Sequence, residues 1–229
     1  MNKKILASIF VIGMLALAMG YGTYSYFTET ETSPGNTFRA GYVDLALSKG
    51  AGYVNPWTGP LATFTNMAPG QATGDINVWF KNVGSLPGIV TVQLSYTESD
   101  DPAQPSGDPE VGPNTFARKV IITHVAVDDG SNVAYYWALQ VAEDPIYGTW
   151  DAAVADGAVV SVDGSYLATV YGVSKITLHF WDSYKGNDIV FGLGTAHKET
   201  LKLKLDASVG NDFQFDGIDI IMTATIRNA

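Results

Sequence analysis

Three histidines, His124, His179 and His197, are the only ones in the 229-residue chain. They set the first question, because imidazole is the usual side chain for zinc binding and for proton transfer near neutral pH. A zinc peptidase commonly carries two histidines one helical turn apart with a glutamate as general base. That spacing does not occur. His124 and His179 fall in stretches that alternate like strands, and His197 sits in a Gly- and Thr-rich connection beside Lys198 and Glu199. Carboxylates cluster at Asp100-Asp101, Asp128-Asp129, and Asp206 with Asp212 and Asp216. Calcium takes loop oxygens of this type, yet none of the clusters has EF-hand spacing, and acidic turns ordinarily serve solubility. The chain has no cysteine, which excludes disulfide scaffolds, zinc ribbons and thiol nucleophiles. Gly192-Leu193-Gly194 lacks the third glycine and the following helix of a dinucleotide fingerprint. No catalytic, cofactor-binding or metal residue is assigned, no enzyme activity is expected, and calcium stays only as the lesser alternative to no cofactor.

The elements that would carry these residues are strands. In a strand every second side chain shares a face. Val90, Val92, Leu94 and Tyr96 alternate with Thr91, Gln93 and Ser95; Leu201, Leu203 and Leu205 alternate with Lys202 and Lys204; Ile218, Ile220, Met222, Ala224 and Ile226 alternate with Asp219, Thr223 and Thr225. Weaker patterns cover Val43–Leu47, Ile76–Val83, Val120–Val127, Val133–Val141 and Ile176–Trp181, for a total of about eight or nine strands. Gly and Pro punctuate between them, notably at Pro69-Gly70, Pro87-Gly88 and Asp163-Gly164. One short helix is expected around Trp150–Asp156. Many short strands without long helices predict an all-β fold, a jelly-roll-like antiparallel β-sandwich. Ser99–Asn114, rich in proline and acid, reads as an exposed loop within one domain.

Charge and the amino terminus point outside the cell. Lys3 and Lys4 precede a 15-residue apolar run, Ile5–Met19, and Thr23-Tyr24-Ser25 fits a small-x-small peptidase site. Residues 1–25 are therefore expected as a cleaved signal peptide; retention of the uncharged span Ile5–Phe27 as an anchor is the alternative. Thirteen basic and 23 acidic residues give a net charge of −10, and loss of Lys3 and Lys4 makes it −12. Such a surface repels nucleic acid and anionic membranes. A secreted protein with no nucleic-acid partner, and no membrane partner after cleavage, is the expectation.

Tyr24-Ser25-Tyr26-Phe27-Thr28-Glu29-Thr30-Glu31-Thr32, followed by Asn36-Thr37-Phe38-Arg39-Ala40-Gly41-Tyr42-Val43-Asp44-Leu45, resembles the start of the TasA/camelysin family of exported fibre-forming proteins. Two further stretches are similar to that family. One is Asn66-Met67-Ala68-Pro69-Gly70 leading to Lys81-Asn82-Val83-Gly84-Ser85-Leu86; the other is Leu205-Asp206 with Gly210-Asn211 through Gln214 and Asp216. Ser99–Lys198 carries no such motif. The resemblance implies a jelly-roll subunit that polymerises with identical subunits into extracellular filaments, of biofilm matrix or bundling pili, by donor-strand complementation. It divides the chain into the signal peptide 1–25, a donor segment 26–38 and a sandwich domain 39–229.

Under that resemblance the donor residues are Tyr26, Phe27, Thr28, Thr30, Thr32 and Phe38, with Phe27 and Phe38 as apolar anchors and the threonines as strand formers. Pro34-Gly35 interrupts a continuous strand, so the donor can be the shorter Tyr26–Thr32. Folding back of Phe27–Phe38 as the first strand of its own domain stays open, as does disorder. Three other readings compete. A secreted carbohydrate-binding sandwich would use exposed rings at Trp79, Tyr136 or Trp181, although large aromatics more often fill cores and interfaces. A camelysin-like surface metallopeptidase is a second, and a type IV pilin a third, weakened because Ile5 rather than a small residue follows Lys4.

Overall fold

The computed structural model describes residues 41–50, 52–53, 60–65, 67–99, 115–128, 130–180, 188–209 and 216–229. The signal and donor segments, Ser99–Asn114 beyond its first residue, and Trp181 therefore lie outside the described residues. Eleven strands and three short helices run in the order β1 (Leu45–Ser48), β2 (Ala62–Thr65), β3 (Ile76–Asn82), β4 (Gly88–Ser99), β5 (Val120–Val127), α1 (Ala134–Glu143), α2 (Trp150–Ala155), β6 (Val159–Val162), β7 (Ser165–Ala168), α3 (Val170–Val173), β8 (Leu178–His179), β9 (Val190–Phe191), β10 (Ala196–Leu205) and β11 (Gly217–Asn228).

One sheet has the order β1-β3-β10-β5, a second has β2-β11-β4-β8 with β9 also on β4, and β6-β7 form a hairpin. Every strand pair is antiparallel. From β1 to β5 the chain alternates between the two sheets, after which β10 inserts between β3 and β5, and β11 between β2 and β4. Both sheets turn one set of alternate side chains into a shared core. Leu45, Leu47, Val78, Phe80, Leu201, Leu203 and Leu205 come from the first sheet, and Val90, Val92, Leu94, Ile218, Ile220 and Met222 from the second. At about 25 cal/mol per Å² of apolar surface removed from water, this core is the main favourable term for the fold.

Residues 134–173 form an insert whose helices pack on β5 of the first sheet and β4 of the second. Asn132 acts as a substitute strand for β5: its Oδ1 accepts from Val125 N (3.1 Å) and its Nδ2 donates to Thr123 O (3.0 Å). The same Oδ1 accepts from Ala134 N at the start of α1 (3.0 Å). Gln140 does likewise for β8, donating to His179 O (3.0 Å) and accepting from His179 N (2.7 Å). Thr149 caps α2 by accepting from Ala152 N (3.2 Å), and Asp163 and Gly164, both at positive φ, make the two-residue turn of β6-β7. Arg118 ties the insert to the sandwich through Asp156 (3.0 Å) and lies 3.7 Å from the centroid of the Tyr171 ring. Burial acts to raise the Asp156 pKa, but hydrogen bonds from Tyr147 and Arg118 prevail and hold it below the usual carboxylate range. The Tyr147 hydroxyl is pushed up by burial and by its bond to Asp156.

Two expected strands are corrected. Val133–Val141 is not a strand but part of α1: Ala134, Trp137, Ala138, Val141 and Ala142 are buried at helical spacing, and the alanines favour that conformation. Of Ile176–Phe180 only Leu178 and His179 form a strand, β8, and both backbone groups of His179 bond Gln140. The expected helix at Trp150 is present as α2, and strands at 76–82 and 120–127 follow their predicted spans closely. Among the described residues, no helix is long and apolar enough to cross a membrane.

Candidate functional site

The stretches that carry the family resemblance meet in pairs. Tyr42-Val43-Asp44-Leu45 lies along Asn82-Val83-Gly84-Ser85-Leu86: Ser85 N and Leu86 N donate to Tyr42 O (2.8 and 3.1 Å), Val83 N donates to Asp44 O (2.9 Å), and Leu45 is registered with Asn82 in the β1-β3 ladder. Gly84 is required by this approach. A Cβ there would stand 2.5 Å from Tyr42 O and 2.6 Å from Asp44 N. Asn82, wholly buried, fastens the junction from below: its Nδ2 donates to Leu86 O (2.8 Å) and Phe191 O (3.0 Å), and its Oδ1 accepts from Gly84 N (2.9 Å). The start of the described chain, Gly41 against Leu86, is thus fixed by backbone hydrogen bonds and a buried amide.

The second pair sits at the other end of β10. Gly70 N donates to Leu205 O (3.1 Å) and Leu205 N to Gln71 O (2.9 Å). Asp206 accepts from Ser208 N (2.8 Å). Burial works to raise the Asp206 pKa, but that hydrogen bond together with Lys119 and Lys204 keeps it low.

On the side of the sandwich away from the insert both sheets end. β1 ends the first sheet and β2 the second, each four residues long, and no strand lies beyond either among the described residues. β1 is buried over all four residues, whereas β2 alternates half-buried and exposed; a terminal strand can serve as a template for another chain. β1 begins four residues after Gly41.

The histidines are separated. His124 is in β5 of the first sheet and His179 in β8 of the second, so the sheets do not bring those two together as neighbours. Each of the others pairs with an aspartate: His179 Nδ1 with Asp188 Oδ1 (3.1 Å), and His197 Nδ1 with Asp128 Oδ2. Asp128, Ser131, Asp188 and His197 line one cleft of about 500 Å³ with valine and isoleucine walls. A His–Asp pair fixes an imidazole tautomer, but the cleft brings no third donor into a metal-binding group among the described residues. Asp100, Asp101, Asp129 and Asp212 lie outside the described residues; Asp216 is buried at the start of β11.

Glu199 is the functional-looking group that sequence reasoning passed over. It faces the core from β10, between Val78 and Val127, is 1% exposed, and neither carboxylate oxygen has a hydrogen-bond partner. Burial pushes its pKa up to about 8. The signal was present in the alternation itself, because position 199 continues the apolar set Leu201, Leu203 and Leu205.

Of the rings weighed as sugar platforms, Trp79 and Tyr136, the latter on α1, are half-buried, and Trp181 lies outside the described residues. The insert instead stacks Tyr135, Trp150 and Tyr166, with Trp150 at 5.8 Å from the first ring and 4.5 Å from the last. Rings packed face to face leave Trp150 little face for a sugar. No protein-family profile matches the chain, and no curated protein matches it.

Proposed function

We propose that the chain is a structural subunit of extracellular filaments that polymerises head-to-tail by donor-strand complementation, residues 26–38 of one copy joining the sheet of the next after loss of residues 1–25. The observation that carries this reading is that each sheet ends, among the described residues, in a strand of four residues, β1 and β2, with Gly41 leading directly into β1. An extended segment added to such an edge gains main-chain hydrogen bonds irrespective of its sequence, and its alternate side chains set register. A contact of this kind does not close on itself, so it propagates. The interleaving of β10 and β11 between earlier strands supports a jelly roll in which the α/β insert stands where another strand of the first sheet would continue past β5. Export rests on the leader sequence, and the fibre class on the motif stretches that meet in space.

Electron microscopy of the exported protein tests the proposal. Deletion of Phe27–Thr32 should leave a folded, soluble monomer, by circular dichroism and size exclusion, that forms no fibres; fibres of wild-type appearance from that deletion would overturn it.

A further inference from the structure

Resting on the filament reading, we propose that the acceptor for a neighbour's arm is the bare edge of β11 from Ile221 to Asn228, filled antiparallel by Tyr26–Thr32 of a second copy. β11 pairs with β4 along its whole length, Gly217–Asn228, but with β2 only over Gly217–Ile220. Residues 221–228 therefore have a neighbour on one side alone among the described residues. The N–H and C=O of a strand residue point the same way and alternate along the chain. Leu61 N donates to Ile220 O (2.6 Å) on the β2 side, so Met222, Ala224 and Ile226 turn their backbone groups to the bare side. Burial falls off along the same face: Ile218 and Ile220, beside β2, are each 1% exposed and Met222 is 4% exposed, whereas Ala224 and Ile226 are only half-buried. β1 approaches β11 across the sandwich, so an added strand joins the interior that holds Leu45, Leu47 and Met222.

Direction selects the occupant. Asn228 pairs with Gly88, and Ala229 N donates to Pro87 O, which places the carboxyl end of β11 beside Leu86 and hence beside Gly41. An arm reaching this edge from Gly41 of the same chain would run parallel to β11, whereas every pair in the domain is antiparallel. A second copy's arm is under no such constraint. The stretch spans about 26 Å at about 3.3 Å per residue, matching the seven residues Tyr26–Thr32. The added strand must leave where Leu61 and β2 take over the ladder, and Pro34-Gly35, unable to continue a central strand, follows at that point.

Alternation then assigns the faces. Tyr26, Thr28, Thr30 and Thr32 share one side, and Phe27, Glu29 and Glu31 the other. Turning the second set inward would bury two carboxylates beside Ala224 and Ile226, which is costly without partners. The threonine face therefore enters, and Glu29 and Glu31 lie outward with the exposed Thr223, Thr225 and Arg227. Phe27 is then an outer-face residue, not the apolar anchor expected from its type. In this register Tyr26 stands opposite Asn228 and Thr30 opposite Ala224.

The natural chain is free of cysteine, so a pair introduced at Thr30 and Ala224 (T30C with A224C) has one intended disulfide. Filaments assembled under reducing conditions and then oxidised should give a ladder of linked subunits on a non-reducing gel, while T30C with A46C on β1, or with T63C on β2, should give none. Ladders from A46C or T63C in place of A224C, or filaments without any ladder from A224C, overturn the acceptor and leave the donor reading intact. If the unsubstituted protein forms no filaments, the filament reading itself fails. Thr30→Glu should abolish fibres and Glu29→Gln should keep them; the reverse pattern overturns the face assignment.

Discussion

Replacing Glu199 by glutamine should remove a large pH dependence from the stability of the domain. The carboxyl lies in the core without a hydrogen-bond partner, and burial raises its pKa from 4.5 to about 8. In the unfolded chain the proton leaves near the ordinary value; in the folded chain it stays until pH passes about 8. Between those limits the folded state binds one proton more than the unfolded state, so stability falls as pH rises. The contribution is fully present below pH 4.5 and lost by about pH 8. Each pH unit costs about 1.4 kcal/mol, which amounts to about 4 kcal/mol between pH 5 and pH 8. Urea unfolding of the wild type and of Glu199→Gln at pH 5, 6.5 and 8 measures the difference directly. The variant should gain on the wild type at each step, because an amide does not ionise. Its own unpaired N–H groups lower the whole curve by about 1–3 kcal/mol without tilting it. Parallel pH profiles for the two proteins would refute the reasoning and would mean that the carboxylate finds a partner or water on ionising.

Two further substitutions probe the junction and the insert. Asn82→Ala removes three side-chain hydrogen bonds and leaves Leu86 O, Phe191 O and Gly84 N to be satisfied in a buried site; a loss of about 3 kcal/mol or more is expected by denaturant unfolding, with amide exchange fastest at residues 42–45 and 82–86. Gly172→Ala should destabilise by at least about 2 kcal/mol, since its Cβ would stand 2.1 Å from Ala158 O in the buried α3, and thermal unfolding checks it.

The long strands were legible because one face of each is buried and the other wet: in β4, β10 and β11 the period of two survives over at least five residues. Most short strands were not, although β1 overlaps the pattern at Val43–Leu47. β2 reads Ala-Thr-Phe-Thr and β9 is two residues, and what makes them strands is the ladder each joins, which composition does not reveal. α1 was misread because Tyr-Tyr-Trp and the flanking valines suit a sheet as well as a helix; only packing against β5 and β7 decides. For the candidate site, the residues that form the junction were visible as motifs, whereas their meeting was not. The bare edge was invisible for a different reason. It is a difference in length between β11 and β2 and belongs to neither sequence alone, while the two faces of Tyr26–Thr32 could be read from the alternation once an acceptor existed to need them.

An edge left open on a folded domain has to be harmless before assembly and adhesive afterwards, and the side chains along β11 reconcile the two. Its outer face over the open stretch is Ile221, Thr223, Thr225 and Arg227, three of the four polar or charged, which discourages edge-to-edge pairing with arbitrary strands. Its inner face there is Met222, already buried, with Ala224 and Ile226 half-buried, enough to reward a strand that fits and too little to bind an apolar peptide strongly. The main-chain hydrogen bonds gained, at about 1 kcal/mol each net, are of the same order as the cost of ordering seven residues at about 1–2 kcal/mol each. Neither term alone holds the contact. The balance falls to the side chains that enter, so a donor with threonines on its inner face makes affinity depend on register: slipping by one residue would exchange that face for Phe27, Glu29 and Glu31. A donor rich in leucine would bind more tightly and discriminate less, because either register would bury apolar surface. In the proposed contact the polar donor and the half-apolar edge would therefore be complementary halves of one specificity device, in which the penalty for the wrong face, more than the attraction of the right one, selects the partner.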